Sequence, residues 1–355
     1  MSVTEQKKIR VLVVEDSRVI AEFLTHLLNS DPRMQVVGVA GNGEEALGVA
    51  QRLKPDVITM DIHMPKVDGF EATRRIMETC PTPIVIVSGS SSADEVANNF
   101  HAIDAGALAV IPRPTGIGHP DHESTARELL ETVRLMSEVK VIRRWPRVRL
   151  ASAVAGIPSV EARRPHGKIQ VVAIGASTGG PIALQTILSR LPKDFAVPIL
   201  IVQHMAAGFV HGFTEWLAHS SGFPVQVAAD GERLLSGHAY VAPDEFHMGV
   251  RMGNHIHLAQ GGKENGMQPA VSYLFRSVRE VFGSNIVAVL LTGMGTDGAE
   301  ELKRLKDAGA MTIAQDKESS IVHGMPGQAI LIGAAAHVLP PESIALTLAT
   351  IATRA

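Results

Sequence analysis

Short apolar runs rich in β-branched residues alternate with stretches of helical periodicity along this chain, and this alternation limits the folds open to it. Such alternation predicts parallel strands joined by crossover helices, with helices on both faces of the sheet. Before residue 112, the runs interpreted as strands are 9–14, 35–40, 57–60, 84–88 and 109–111. The N-terminal part is therefore predicted to be a doubly wound α/β unit with a five-stranded parallel sheet, closed by a helix near 124–143.

The same alternation resumes at Ile169, after a stretch rich in proline, small residues and basic residues. We predict one domain at 8–130, a linker at 131–168 and a second, Rossmann-like α/β domain at 169–350. The strands predicted in the second domain are 169–175, 197–203, 238–242, 286–292 and 310–314. Its predicted helices are 180–190, 209–219, 268–282, 297–308 and 326–333. The stretch 225–260 carries more turn and β signals, which predicts a β excursion from this domain.

Composition disfavours several classes of protein. Of the 355 residues, 45% are hydrophobic and 19% are charged, which allows a sizeable core and argues against disorder. A net charge of −3 and an aromatic content of 4% disfavour nucleic-acid binding. The one cysteine, Cys80, cannot form an internal disulfide or a cysteine-based zinc site. The sequence shows no signal-peptide core and no apolar run of bilayer-spanning length, so we expect a cytoplasmic protein without membrane insertion.

Three acidic residues directly follow predicted strands of the first domain. Glu15 and Asp16 come after the first strand, and Asp61 comes after the third. Ligands of doubly wound sheets bind beyond the carboxyl ends of the strands, and a few carboxylates with water suit Mg²⁺. A carboxylate beside Mg²⁺ can attack a phosphoryl group and become an acyl phosphate. Ser88 and Arg113 follow later strands and are expected to contact the phosphoryl oxygens, whereas helix N-capping is the alternative role for Asp16.

Residues 9–130 resemble a response-regulator receiver domain. The matching residues are Val13–Ser17, Asp61–Gly69, Ser88 and Pro112–Pro114. The resemblance implies that Asp61 is phosphorylated by a histidine kinase. It also implies that Mg²⁺ is held by Glu15, Asp16, Asp61 and the backbone carbonyl of His63, and that Ser88 is the switch hydroxyl.

Three positions depart from the usual pattern of receiver domains. Arg113 occupies the place of the usual lysine, Glu15 that of an acid that is most often Asp, and Val110 that of the usual aromatic switch residue. Arg keeps the charge of Lys but has a different reach and donor geometry. Metal binding is expected to survive these departures, which bear instead on how phosphorylation is coupled to conformational change.

A serine on a tight turn is the candidate nucleophile of the second domain. Gly175–Gly180 lies between a predicted strand and a predicted helix and matches the G-x-S-x-G form, with Ser177 at its centre. His204 ends the next apolar run and can serve as the base, and Asp297 follows a later strand and can orient the imidazole. The alternatives are a phosphate-binding loop at Ser177, a structural hydrogen bond at His204 and helix N-capping at Asp297. The order Ser–His–Asp disfavours an α/β-hydrolase fold.

Residues 169–340 resemble the catalytic domain of the chemotaxis protein-glutamate methylesterases, the CheB family. The matching segments are Gly175–Gly180, Gln203–Met205, Ala239–Pro243, Ser272–Val278, Thr292–Gly298, Ala314–Ser320 and Gly324–Pro326. Together with the receiver, the resemblance covers nearly the whole chain. A receiver domain followed by this catalytic domain is a specific combination.

The resemblance implies a serine esterase that hydrolyses glutamate methyl esters on methylated chemoreceptors, and many members of the family also deamidate receptor glutamines. It places the triad on Ser177, His204 and Asp297 and the oxyanion contacts on Thr178 and the backbone of Met294. No cofactor is expected for the esterase reaction, and a chemotaxis histidine kinase is the expected partner of the receiver, whose phosphorylation relieves inhibition of the cleft. The alternatives are a generic serine esterase and a signalling adaptor with a vestigial site.

Overall fold

A computed structural model of the chain describes residues 7–89, 93–139, 141 and 168–352, which belong to two compact units. Most of the predicted linker at 131–168, including its basic stretch, lies outside these described residues. The domain boundaries stay predictions.

The N-terminal unit contains the predicted five-stranded parallel sheet. Its strands are β1 (Ile9–Val14), β2 (Met34–Ala40), β3 (Val57–Met60), β4 (Ile84–Ser88) and β5 (Ala109–Pro112). They lie in the order β2-β1-β3-β4-β5, and each neighbouring pair is parallel. Because β1 and β3 are neighbours, the loops that follow them emerge side by side at one edge of the sheet.

Five helices accompany this sheet. They are α1 (Arg18–Ser30), α2 (Gly43–Leu53), α3 (Gly69–Thr79), α4 (Ala93–Ala105) and α5 (His122–Ser137). The N-cap of α1 is Ser17, so Asp16 does not have the capping role considered as an alternative. Helix α5 ends at Ser137 and not near residue 143, because the Glu138 and Val139 amides bond to carbonyls three residues back and tighten the last turn.

The C-terminal unit contains a seven-stranded parallel sheet and a separate antiparallel hairpin. The strands of the sheet are β6 (Val171–Ala176), β7 (Ile199–Gln203), β8 (Val225–Val227), β9 (Ala239–Val241), β12 (Ile286–Leu290), β13 (Met311–Gln315) and β14 (His337–Leu339). Their order is β14-β13-β12-β6-β7-β9-β8. The hairpin consists of β10 (His247–Arg251) and β11 (His255–Ala259). The β excursion predicted at 225–260 is thus confirmed: it contains the edge strand β8, its neighbour β9 and the hairpin.

Six helices lie in the described range 168–352. They are α6 (Gly180–Leu188), α7 (Val210–Ser221), α8 (Val271–Phe282), α9 (Ala299–Asp307), α10 (Met325–Leu331) and α11 (Pro341–Ala352). Five were predicted with ends that differ by a few residues. The sequence analysis did not predict α11 or β14, and it covered β8 only as part of the β excursion. A strand as short as β14 gives little periodicity to recognise.

The interiors of both sheets are apolar. All residues of β3, β4, β6 and β12 are buried, as expected for parallel strands that are covered by helices on both faces. Charged groups therefore accumulate beyond the strand ends, where the backbone leaves the core. In both units the candidate site residues come from such positions.

Candidate active site and acidic pocket

Ser177 lies on the turn between β6 and α6. Its amide donates to the carbonyl of Thr292 over 3.0 Å, and its carbonyl accepts the amide of Gly180 over 2.8 Å. Gly179 has a φ of +81°, which favours glycine, and a Cβ on Gly180 would lie 2.0 Å from Oε1 of Gln203. The small residues that suggested a sharp turn are therefore required by backbone conformation and by close packing, and Ser177 stays partly exposed.

His204 is brought beside Ser177 by the register of two neighbouring strands. Ala176 at the end of β6 pairs with Gln203 at the end of β7, so Ser177 and His204 are the next residues on adjacent parallel strands. The Gln203 amide group reinforces this arrangement, since its Nε2 donates to the carbonyls of both Ser177 and His204 over 2.8 Å. One buried side chain thus connects the backbones of the candidate nucleophile and the candidate base.

The two ring nitrogens of His204 have different environments. Nε2 lies 3.0 Å from Oδ2 of Asp297, whereas Nδ1 is buried and has no hydrogen-bond partner among the described residues. A carboxylate can only accept, so in the neutral ring Nε2 carries the proton and Nδ1 presents a lone pair. Nδ1 is therefore the ring nitrogen that can accept a proton.

Asp297 is buried and accepts hydrogen bonds from several groups besides His204. Oδ2 also accepts the Val271 amide over 2.7 Å, and Oδ1 accepts the Ser272 amide over 3.1 Å, the Ser272 hydroxyl over 2.6 Å and Nδ2 of Asn265 over 3.2 Å. Burial by itself would raise the pKa of Asp297, but the hydrogen bonds from His204 and Ser272 hold that pKa well below its usual range. Asp297 is therefore a carboxylate at neutral pH.

The structure does not support helix N-capping, the alternative role considered for Asp297. The N-cap of α9 is Gly298, so Asp297 does not cap the helix that follows it in sequence. It accepts instead the first two amides of α8, whose positive dipole end favours an anion. The predicted start of that helix at 268 is wrong for a related reason, since Ala270 has extended backbone and the first helical amides belong to Val271 and Ser272.

The two predicted oxyanion positions lie next to Ser177. Thr178 directly follows it, and Met294 follows Gly293, at which a Cβ would lie 2.6 Å from Cβ of Ser177. Within the described part of the chain, neither the Thr178 amide nor the Met294 amide donates a hydrogen bond. Two such donors beside a nucleophile can accept a developing oxyanion, although their role in this chain stays a prediction.

Sequence reasoning missed three polar residues at this site: Gln203, Ser272 and Asn265. Gln203 directly precedes His204, and its place at the end of a buried strand was a usable signal. Ser272 and Asn265 come from α8 and from the loop before it, 25 and 32 positions from Asp297. Ser272 begins a segment that matches the CheB family, but only the fold shows that it and Asn265 contact Asp297.

The acids of the N-terminal unit meet as predicted. Ligand atoms of Glu15, Asp16 and Asp61 all lie within 4.8 Å of one another. The guanidinium of Arg113 is the nearest counter-charge, with Nη2 at 3.2 Å from Oε2 of Glu15 and 3.8 Å from Oδ1 of Asp61. Glu15 and Asp61 are buried, and Asp16 is exposed.

One guanidinium does not balance these carboxylates. Burial, the nearby charge of Asp61 and, more weakly, that of Asp16 raise the pKa of Glu15 to about 7 despite the opposing charge of Arg113. Burial likewise raises the pKa of Asp61. Uncompensated carboxylate oxygens within a few ångströms of one another are a donor set that suits a hard divalent cation such as Mg²⁺. The residues present therefore fit the predicted metal.

The remaining predicted positions of the receiver lie on or just after β3, β4 and β5. The buried Ser88 hydroxyl accepts a hydrogen bond from Nδ2 of Asn99 over 2.7 Å. His63 is exposed, two residues after Asp61, and its charge acts to lower the pKa of that carboxyl. Val110 packs against the apolar core and offers no aromatic ring. Metal ligation by the His63 carbonyl and phosphoryl contacts of Ser88 and Arg113 stay predictions.

Within the described residues, no helix is both long and apolar enough to cross a bilayer.

Two parts of the chain match known protein families. Residues 172–348 match the CheB methylesterase family, and residues 11–119 match the response regulator receiver domain. Both matches agree with the resemblances drawn from the sequence motifs.

Relatives extend the match over almost the whole length. The chain is 59% identical over 340 residues to a protein-glutamate methylesterase/protein-glutamine glutaminase of Nitrosospira multiformis, with 96% of each chain covered. It is 55% identical over 345 residues to a protein of the same description from Geobacter metallireducens, which covers 97% of this chain and 99% of that one. The solved catalytic domain of CheB methylesterase from Thermotoga maritima is 38% identical, with a TM-score of 0.50, and covers 52% of this chain and 100% of that chain.

Proposed function

The chain belongs to the CheB methylesterase family, and from this premise we propose that it is a phosphorylation-regulated serine esterase of chemotaxis signalling. Its substrates are glutamate methyl esters on chemoreceptors, and it also deamidates receptor glutamines. The observation that carries the proposal is the array of Ser177, His204 and Asp297 at the carboxyl ends of neighbouring strands. The chain is similar over nearly its whole length to a protein-glutamate methylesterase/protein-glutamine glutaminase.

The esterase reaction is an acyl transfer in two halves. Nδ1 of His204 takes the hydroxyl proton of Ser177 while Oγ attacks the ester carbonyl, and the Thr178 and Met294 amides donate to the oxyanion that forms. The imidazolium, stabilised by Asp297, then gives its proton to the leaving methoxide, and methanol departs. Water, deprotonated by His204, attacks the acyl-enzyme, which releases glutamate and restores Ser177. With a glutamine substrate the leaving group is ammonia.

The receiver supplies the regulation. Glu15, Asp16, Asp61 and the backbone carbonyl of His63 would hold Mg²⁺, which when bound neutralises charge on the phosphoryl group and its acceptor. Asp61 is the proposed phosphoacceptor, with a chemotaxis histidine kinase as phosphodonor. Ser88 and Arg113 lie on the neighbouring strand ends and contact the phosphoryl oxygens. Phosphorylation raises the esterase activity.

The cytoplasm is the proposed compartment. Cys80, the one cysteine of the chain, is free, which fits a reducing environment.

Methanol release from membranes that contain methylated chemoreceptors tests the esterase assignment. We expect release by the full chain and none above background by Ser177→Ala. Ser189→Ala is the matched control, because Ser189 is an exposed serine at the end of α6 that bonds only within its own helix. Rapid cleavage of small acyl esters with no methanol from receptors would instead indicate a generic esterase. Equal methanol release by the wild type and Ser177→Ala would overturn the nucleophile assignment.

A further inference from the structure

Ser272, at the start of α8, is the polar residue outside the triad that makes the shortest contact with Asp297. We infer that Ser272 is a positioning residue of the proposed esterase site, which fixes the Asp297 carboxylate so that Oδ2 faces His204. The inference deepens the proposed function and rests on it. It concerns a side chain that touches neither Ser177 nor His204 and acts through Asp297.

Every hydrogen-bonding capacity of the Ser272 hydroxyl is used. Oγ donates to Oδ1 of Asp297 over 2.6 Å and accepts the Gly298 amide over 3.0 Å and Nδ2 of Asn265 over 3.1 Å. A serine hydroxyl has one hydrogen and two lone pairs. Since the two neighbouring N–H groups occupy the lone pairs, the one proton is directed at Asp297.

The donors divide between the two carboxylate oxygens. Oδ1 faces Ser272 and Asn265, and Oδ2 faces His204 and the Val271 amide. Rotation of the carboxylate away from His204 would break the short bond to Ser272. Ser272 also accepts the Gly298 amide, so it connects α8 with both the side chain of Asp297 and the backbone directly after it. The residue is buried, and water therefore does not replace its hydroxyl easily.

The charged groups around Asp297 give this role a measurable signature. Nε2 of His204 contacts Oδ2 of Asp297. The charges of Asp297 and His247 both act on the pKa of Glu264, and Glu264 forms an ion pair with Arg276. Removal of the Ser272 hydroxyl takes a donor from Asp297 and leaves more negative charge facing His204. The pKa of the Asp297 carboxyl then rises toward its usual range, because one of the hydrogen bonds that lowers it is lost. The acidic limb of the pH–rate profile should therefore move to higher pH.

The test compares Ser272→Ala with Ser277→Ala in the full chain. Ser277 is also a serine of α8, but its hydroxyl bonds the backbone of Val250 and not Asp297. For Ser272→Ala we expect kcat for methanol release to fall by roughly tenfold, as for loss of a hydrogen bond to a charged group. KM should stay within about twofold, because substrate does not touch Ser272, and the acidic limb should shift upward. Ser277→Ala should show neither change at a similar loss of thermal stability.

A second variant and a second measurement guard against loss of folding and against failure of the esterase assignment. Asn265→Ala removes the other side-chain donor to Oδ1 from an exposed loop position, and we expect a smaller change of the same sign. The proton NMR resonance of the His204 Nε2–H group reports its bond to Asp297 without any substrate. It should shift in Ser272→Ala and Asn265→Ala but not in Ser277→Ala. An unshifted resonance, or equal effects of the two serine variants, would overturn the inference, whereas a shift without methanol release would refute only the proposed function.

Discussion

The two units place carboxylates at the same topological position, beyond the carboxyl ends of parallel strands, but surround them differently. Asp297 accepts hydrogen bonds from four residues, including two amides at the start of α8, and its pKa is held well below its usual range. Glu15 and Asp61 lie close to each other with one guanidinium nearby, and their pKa values are raised.

The difference lies in how the charge of each carboxylate is balanced, by groups of the protein at Asp297 and only in part at Glu15 and Asp61. The charge of Asp297 is satisfied by groups of the protein, so it can orient His204 at all times. The charges of Glu15 and Asp61 are left partly unbalanced, so a divalent cation and a phosphoryl group change their surroundings most. The proposed catalytic carboxylate and the proposed phosphoacceptor are thus distinguished by the donors around them rather than by their place in the fold.

The largest expected effect follows from removing the charge of Asp297. Asp297→Asn keeps the size of the side chain but cannot stabilise the imidazolium of His204, so we expect kcat for methanol release to fall by roughly 10⁴-fold. Asp307→Asn, at an exposed position of α9, is the matched control and should keep wild-type activity. Near-full turnover of Asp297→Asn would show that the low-pKa carboxylate is not part of the catalytic array.

The next largest effect is expected at Asp61 and concerns the stimulation of activity by a phosphodonor. Asp61→Asn removes the proposed phosphoacceptor, so the ratio of activities with and without phosphodonor should fall to about one. Asp68→Asn is the control, because Asp68 lies in the following loop and caps α3. Stimulation that persists in Asp61→Asn would assign phosphorylation to another residue.

The smallest expected effect is on stability and depends on pH. The folded pKa of Glu15, about 7, lies above its ordinary value of 4.5, so without a cation its contribution to the free energy of unfolding declines as pH rises from about 4.5 to 7. A divalent cation binds the ionised form and should reverse this loss. Millimolar Mg²⁺ should therefore raise the thermal midpoint of the N-terminal unit by a few degrees at pH 8 and by less at pH 5. An equal shift at both pH values would show that Glu15 does not titrate in this range.

Much of the fold was predictable because its main signals are local. Buried parallel strands produce short β-branched runs, and the ends of β1, β3, β6 and β7 were located within two residues. The carboxyl ends of neighbouring parallel strands share one edge of a sheet. The positions of these residues at strand ends therefore indicated that Glu15 lies near Asp61 and that the Ser177 turn lies near His204.

What could not be predicted depends on contacts between distant segments. Nothing near Asp297 in the sequence indicates that α8 begins against its carboxylate, and a residue that follows a strand and precedes a helix looks locally like an N-cap. The strands β8 and β14 are formed only because a neighbouring strand accepts them at the sheet edge. The balance of donors that distinguishes Asp297 from Glu15 is likewise a property of the folded chain.

Methanol release from methylated receptor membranes, with and without a small-molecule phosphodonor, is the decisive measurement when Mg²⁺ is first supplied and then chelated. We expect release by the full chain that the phosphodonor increases in the presence of Mg²⁺ and no longer increases after chelation. Release that never responds to the phosphodonor would contradict the regulatory role of the Asp61 pocket. The absence of release under every condition would contradict the assignment of Ser177, His204 and Asp297 as a methylesterase site.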